Sequence, residues 1–167
     1  YIGARTMSTP TRLQTTIQHL AATCLGSWIL VRVLPPIDRV VFRLSGNKLT
    51  LVTLLAGLPT LLLVSMGAKS GQPRTTPLVG IPHGDGYILI GSNFGQAHHP
   101  AWVYNLRVHP AAQLIRNGQA REYTAREVHG EEYDTCWQKA VSYYAGYQAY
   151  KVRAGRKIAV FVFEPVK

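Results

Sequence analysis

The sequence predicts an α+β protein built on a small antiparallel β-barrel of about six strands, with helices before the barrel and one late helix crossing it. Two observations predict this. Residues 60 to 163 carry apolar runs of strand length separated by turn residues, among them Asn117-Gly118, the strongest short hairpin signal in the chain. Residues 13 to 56 instead place apolar residues at helical spacing.

Leu13, Ile17, Leu20, Cys24, Trp28 and Val31 recur every three or four residues, one apolar face of a helix that runs up to Pro35-Pro36. The segment from Ile37 to Leu44 is short and amphipathic, and Arg32, Arg39 and Arg43 make this region basic. From Leu49 to Met66 there are eighteen uncharged residues, the length at which a membrane span is considered. Gly57 and Pro59 interrupt them, so the stretch reads as a helix (Leu49 to Ala56), a break, and a buried strand (Thr60 to Met66).

Strands follow at Thr75 to Pro82 and, after the turn His83-Gly84-Asp85-Gly86, at Tyr87 to Ser92, which with the first strand form a meander. Pro100 opens a helix over Ala101 to Val108, because proline suits the first turn, and Pro110 ends it. Ala112 to Arg116 and Gln119 to Glu127 flank Asn117-Gly118 as a hairpin. Glu131 and Glu132 open a helix at its positive dipole end, running through Trp137, Ala140 and Tyr144 toward Tyr150, and a strand from Lys157 to Phe163 closes the barrel.

The 167 residues suffice for one sizeable core and leave no room for two enzymatic domains with a cleft between them. Residues 1–6, ahead of Met7, read as an upstream extension or an expression remnant, 7–58 as an N-terminal helical segment suited to membrane association, and 59–167 as the barrel domain. Eighteen Lys and Arg against eight Asp and Glu give a formal charge of +10, which favours anionic partners. The basic residues are dispersed, without the blocks or motifs of nucleic-acid binding. Cys24 and Cys136 form no C-x-x-C, so a reducing cytoplasm is expected. His98-His99 lacks companion ligands at metal spacing, and no G-x-S-x-G elbow supports hydrolase chemistry.

Two segments carry chemistry. Gly67-Ala68-Lys69-Ser70-Gly71-Gln72-Pro73-Arg74 turns over two glycines and brings two cations and free backbone N–H groups together, an arrangement suited to phosphate or carboxylate or simply to an exposed basic hairpin. It lacks P-loop spacing. Gly91-Ser92-Asn93-Phe94-Gly95 can lay small residues against a flat ring, and the helix that starts beyond His98-His99-Pro100 offers its N-terminal dipole to an anion. Trp102 and Asn105 share one face of that helix. On the bare pattern they also suit a buried Trp with a hydrogen-bonded Asn.

In order, spacing and residue type these segments, G-x-K-S-G-x-P-R-x-x-P-L, G-S-N-x-G and H-P-x-W-x-x-N-L, resemble the deazaflavin (coenzyme F420)-dependent nitroreductase family. The likeness runs from Leu61 to Pro165. It implies a split β-barrel that binds F420, a deazaflavin with a phosphate and an oligoglutamate tail, and passes its hydride to a quinone, nitro compound or other activated unsaturated acceptor. A carrier of F420 without fast turnover, or an FMN enzyme on the same barrel, are the alternatives.

By this resemblance Lys69 and Arg74 fall at the tail and phosphate site, with Ala68 and Ser70 beside them as cofactor-binding positions. Pro77, Leu78, Val79, Ile90, Gly91, Ser92 and Asn93 fall along the deazaflavin, Thr75 and Thr76 at the cofactor, and Ala101, Trp102, Val103, Tyr104 and Asn105 at its helix-terminus contacts. Tyr144, Tyr147 and Tyr150 match the family's acceptor-pocket wall, although a stripe of aromatics at helical spacing is in general a core feature. Tyr147 is expected to be the proton donor, assisted by Ser92. Ala68 stands where the family usually has Arg, Asn93 where some members carry Lys, and Ala145 where proline is common. The expected partner is a small lipophilic acceptor such as a quinone, with no nucleic acid. Location is expected in the cytoplasm, at the inner face of the membrane, and a homodimer is compatible with the sequence.

Overall fold

A computed structural model describes residues 60–166; the helices expected over 13–34, 37–44 and 49–56 lie outside the described residues. Seven strands form one antiparallel sheet: β1 (Thr60–Met66), β2 (Pro73–Val79), β3 (Ile81–His83), β4 (Gly86–Gly91), β5 (Ala111–Arg116), β6 (Gln119–Glu127) and β7 (Ala159–Pro165). Three helices join them: α1 (Ala101–Val108), α2 (Gly130–Tyr143) and α3 (Gly146–Ala154).

The strand order is β2-β1-β5-β6-β7-β4-β3, so β2 and β3 are the two outer edges, yet only Gly80 separates them in sequence. Laid flat, seven strands would hold their edges about 29 Å apart at about 4.8 Å per strand. A one-residue link spans at most about 7 Å. The sheet therefore curls into a split barrel whose edges meet at Gly80, where a Cβ would overlap the Leu61 side chain. Thr75 to Pro82, expected as one strand, is thus two, and the count is seven. The expected meander is replaced by two hairpins, β1–β2 and β3–β4, set on opposite sides of the sheet, with β4 paired to β7 and β1 to β5.

Curling creates two cores. Inside the barrel lie Leu63, Leu89, Leu114, Phe161 and Phe163, closed by Trp102, Val103 and Leu106 of α1. Outside it, Ile88, Ile90, Val160 and Val162 pack against Trp137, Ala140 and the tyrosines of α2 and α3. β4 and β7 are buried on both faces, which is why their sequences read as unbroken apolar runs. β2 is exposed to half-buried along its length and carries Pro73 and Pro77, as only an edge strand can.

Local signals hold at several joints. Asn117 and Gly118 take φ of 53° and 78°, the left-handed pair of a tight hairpin turn between β5 and β6. Pro100 precedes α1 at its expected bounds. The long helix expected to reach Tyr150 instead breaks at Tyr144, whose backbone is extended (φ −149°, ψ 102°). The next helix begins at Gly146, where a Cβ would strike the Tyr144 ring, so the break needs no proline at position 145. The final strand starts at Ala159 rather than Lys157, because Ile158 turns into the core between barrel and helices.

Gly86 faces the β7 backbone so closely that a Cβ would fall on the Phe163 carbonyl oxygen. Gly86→Ala should therefore cost about 1 to 3 kcal/mol, as overpacking does when no side chain can yield. A urea-unfolding midpoint that stays at the wild-type value would contradict this account of the β4–β7 contact.

Candidate active site

The turn between β1 and β2 is shaped by its backbone. Gly67 N donates to Gln72 O at 2.9 Å, Gly71 N donates to Gly67 O at 2.8 Å, and Gly71 adopts a left-handed φ of 61°. A side chain from elsewhere then anchors it: buried Asn105 of α1 accepts from Ala68 N at 3.0 Å and donates to Ser65 Oγ at 3.2 Å. Lys69, Ser70 and Arg74 lie exposed on the turn and the start of β2, and the ion pairs among the described residues involve neither cation. Two unpaired cations on a tethered turn suit an anion.

After β4, Gly91 and Ser92 are buried, and Asn93 and Phe94 take positive φ of 49° and 54°. Two consecutive non-glycine residues in that region are uncommon and mark a loop held by its surroundings. Asn93 uses its side chain for this, donating to Gln96 Oε1 (3.3 Å) and His98 O (3.2 Å). Two arginines that motif spacing passes over also grip the loop. Arg153 donates to Phe94 O at 3.2 Å, and Arg156 bonds several loop carbonyls.

α1 follows directly. Its Trp102 and Val103 side chains are buried in the barrel and Asn105 is committed to the β1–β2 turn, so these three do not present side chains to a ligand. What α1 offers instead is its N-terminal backbone and the exposed Ala101 and Tyr104. Along β2, Thr75 and Pro77 are exposed and Thr76, Leu78 and Val79 half-buried. Ile90 points to the helix-side core.

Tyr144, Tyr147 and Tyr150 are buried together. Tyr144 and Tyr147 meet edge to face at 5.3 Å between ring centroids, and the Tyr144 and Tyr150 hydroxyls lie 3.2 Å apart. Phe94 of the loop sits 6.1 Å from Tyr150, so the cofactor-side loop adjoins the tyrosines, with Tyr150 between it and Tyr147. Burial pushes all three phenol pKa values up, most strongly those of Tyr147 and Tyr150. Next to them, Tyr133 Oη and Trp137 Nε1 are buried donors without an acceptor among the described residues. Unpaired buried donors of this kind call for an explanation.

The curled antiparallel half-barrel is the fold of the split-barrel F420 reductases. The chain belongs to the F420H(2)-dependent quinone reductase family, whose model matches residues 38–165. An F420H(2)-dependent quinone reductase of Mycobacterium tuberculosis (strain H37Rv) is 36% identical over 107 residues, 62% of this chain and 72% of the relative. Among solved structures, an F420-H2 dependent reductase (FDR-A) superposes with a TM-score of 0.59 at 34% identity, over 64% of this chain and 94% of that one. A structure described as a domain-swapped dimer superposes at 0.61 and 29% identity, covering 77% and 96%.

The protein is accordingly an F420-dependent oxidoreductase. The donor set fits that cofactor's acidic character: two cations without an ion pair among the described residues and the exposed start of a helix stand on adjoining elements.

Asn105→Ala should destabilise the protein by about 1 to 3 kcal/mol, since it leaves the Ala68 N–H and the Ser65 hydroxyl without their partner. It should also weaken F420 binding by loosening the basic turn. Denaturant unfolding together with a fluorescence titration of F420 checks both, and a variant with wild-type affinity would show that the tether is irrelevant to the site.

Proposed function

We propose that this protein transfers a hydride from reduced F420 to a quinone, with Lys69 and Arg74 receiving the cofactor's phosphate and tail. Residues 77–79 and 91–93 line the ring, backed by Ile90 in the helix-side core, and the start of α1 supplies backbone N–H groups. The observation that carries this reading is contiguity. Asn105 ties the basic turn to α1, α1 continues from the loop at 91–99, and Phe94 of that loop rests on the tyrosine cluster. Anion-binding, ring-facing and phenolic groups thus follow one another without an intervening element.

Bound F420H2 supplies the hydride. The chain contributes attraction, orientation and hydrogen bonding. Exposed cations draw in an anionic ligand with a strength that falls as salt rises. The loop, constrained at Asn93 and Phe94, presents Ser92 at a fixed orientation. Tyr147, its pKa raised by burial, stays protonated and can donate to the acceptor oxygen as negative charge grows there. Tyr144 and Tyr150 form the wall around it. The indole N–H of Trp137, 6.3 Å from Tyr147 between rings and lacking an acceptor among the described residues, supports a polar ligand atom entering this cluster.

Stopped-flow oxidation of F420H2 by menadione tests the assignment. Tyr147→Phe should lower the rate at least ten-fold and leave F420 affinity unchanged, whereas the double variant Lys69→Ala/Arg74→Ala should weaken affinity by about ten-fold, two exposed charge contacts at up to about 1 kcal/mol each. A phenol held above its ordinary pKa of 10 remains a donor as pH rises, so the wild-type rate should show no tyrosine-dependent fall between about pH 7 and 9. An unaltered rate in the phenylalanine variant would remove Tyr147 from the mechanism.

A lipophilic acceptor is reached most directly from a membrane surface, and the basic, amphipathic residues 7–58 are suited to lie on one at the inner face of the cell membrane. Among the described residues no helix is long and apolar enough to cross a membrane. Sedimentation with anionic vesicles should carry the full chain down at low salt and release it at high salt. Equal recovery with neutral vesicles would argue against the electrostatic part of this attachment.

A further inference from the structure

Arg156 stands in the link between α3 and β7, about 60 residues from the loop it contacts, and no motif marks it. Its Nε donates to Gln96 O at 3.1 Å and its Nη1 to His99 Nδ1 at 2.9 Å. Nη2 faces three more carbonyl oxygens, those of His98 at 3.0 Å, Gly91 at 3.2 Å and Ser92 at 3.4 Å. Four carbonyls from one short loop converge on a single planar cation. Without it their dipoles would oppose one another across a partly buried space.

Two consequences follow from the chemistry of the guanidinium. Because the carbonyl oxygens of Gly91 and Ser92 are drawn toward Arg156, the peptide planes that follow them are set, which fixes the entry to the left-handed Asn93-Phe94 pair. Because Arg can only donate, His99 Nδ1 must accept, so His99 is neutral with its proton on Nε2. Burial, then Arg156 and Arg107, hold its pKa down against the opposing pull of Glu127, while the Tyr104 ring packs edge-on against it. His99 directly precedes Pro100 and the start of α1.

We propose that Arg156 is a positioning residue for hydride transfer: it clamps the loop at 91–99 in the geometry that faces the deazaflavin and locks the Nε2–H tautomer of His99 at the head of α1. The clamp also sets the cofactor side against the tyrosine side. Arg153, one turn earlier, bonds Phe94 O from α3, and a Cβ on Gly95 would press on the Arg153 side chain and the Tyr150 backbone. Loop and tyrosine helix therefore move as one piece, and Arg156 fastens its end. This rests on the reading of that loop as ring-facing.

The test uses the full chain as wild type, Arg156→Lys and Arg156→Gln. In the wild type, ¹⁵N NMR should show His99 Nδ1 unprotonated and Nε2 protonated. Arg156→Gln should raise the His99 pKa toward the ordinary histidine value and weaken F420 binding at least ten-fold. Arg156→Lys should return the His99 pKa part of the way, since charge is restored, yet leave F420 binding weak, because three donors on a compact ammonium cannot reach acceptors spread around a fork. A general loss of stability would not split the two readouts in this way.

A wild-type His99 protonated at Nδ1, full affinity in Arg156→Lys, or unchanged affinity in Arg156→Gln would each overturn the inference. Those results require a wild type that binds F420. One that does not would overturn the proposed function itself, and the role of Arg156 in hydride transfer with it.

Discussion

The meeting of the two sheet edges at Gly80 is the constraint on which the rest of the molecule depends. A chain that must leave one edge and enter the opposite one within a single residue cannot remain flat. Closure makes an inside, which α1 seals with Trp102, Val103 and Leu106, and an outside, which α2 and α3 cover over β4, β7 and Ile81 of β3. Among the described residues β2 remains an exposed to half-buried edge beside the basic turn. The surface proposed for the flat cofactor is thus a by-product of how the barrel closes.

Charge and burial divide the work around that surface. Arg107 and Arg126 are committed to bidentate pairs with Glu127 and Glu132, which fasten α1 and α2 to β6. Both pairs are partly exposed and contribute little individually to stability. Among the described residues Lys69 and Arg74 are not so engaged, which leaves their positive charge exposed on the turn. Asn105 supplies the mechanical side of the arrangement. Its amide is hidden from solvent, yet it sets where the exposed cations stand.

The tyrosine cluster carries two demands at once. Edge-to-face contacts among Tyr144, Tyr147 and Tyr150 are each worth about 0.5 to 1.5 kcal/mol beyond burial, so the cluster stabilises the packing of α3 on the barrel. The same burial keeps every phenol protonated, and beside the cluster Tyr133 Oη and Trp137 Nε1 are buried donors without an acceptor among the described residues. On the proposed function, core and site are the same residues here.

Features of this protein that depend on a few adjacent residues were determined by the sequence by itself. The Asn117-Gly118 turn, the start of α1 after Pro100 and the basic Gly67–Arg74 turn each follow from local backbone preference, and the joint spacing of the G-x-K-S-G, G-S-N-x-G and H-P-x-W segments was specific enough to point to the family. Only the tertiary structure decided that Thr75 to Pro82 splits at Gly80, that β4 seeks β7, that Trp102 faces inward while Tyr104 does not, and that Arg156 closes on a loop far away in sequence. The physical reason is that pairing and burial are set by partners distant in the chain. A residue's own neighbours fix its φ and ψ preferences, but which carbonyl an arginine will meet is settled only when the sheet has curled.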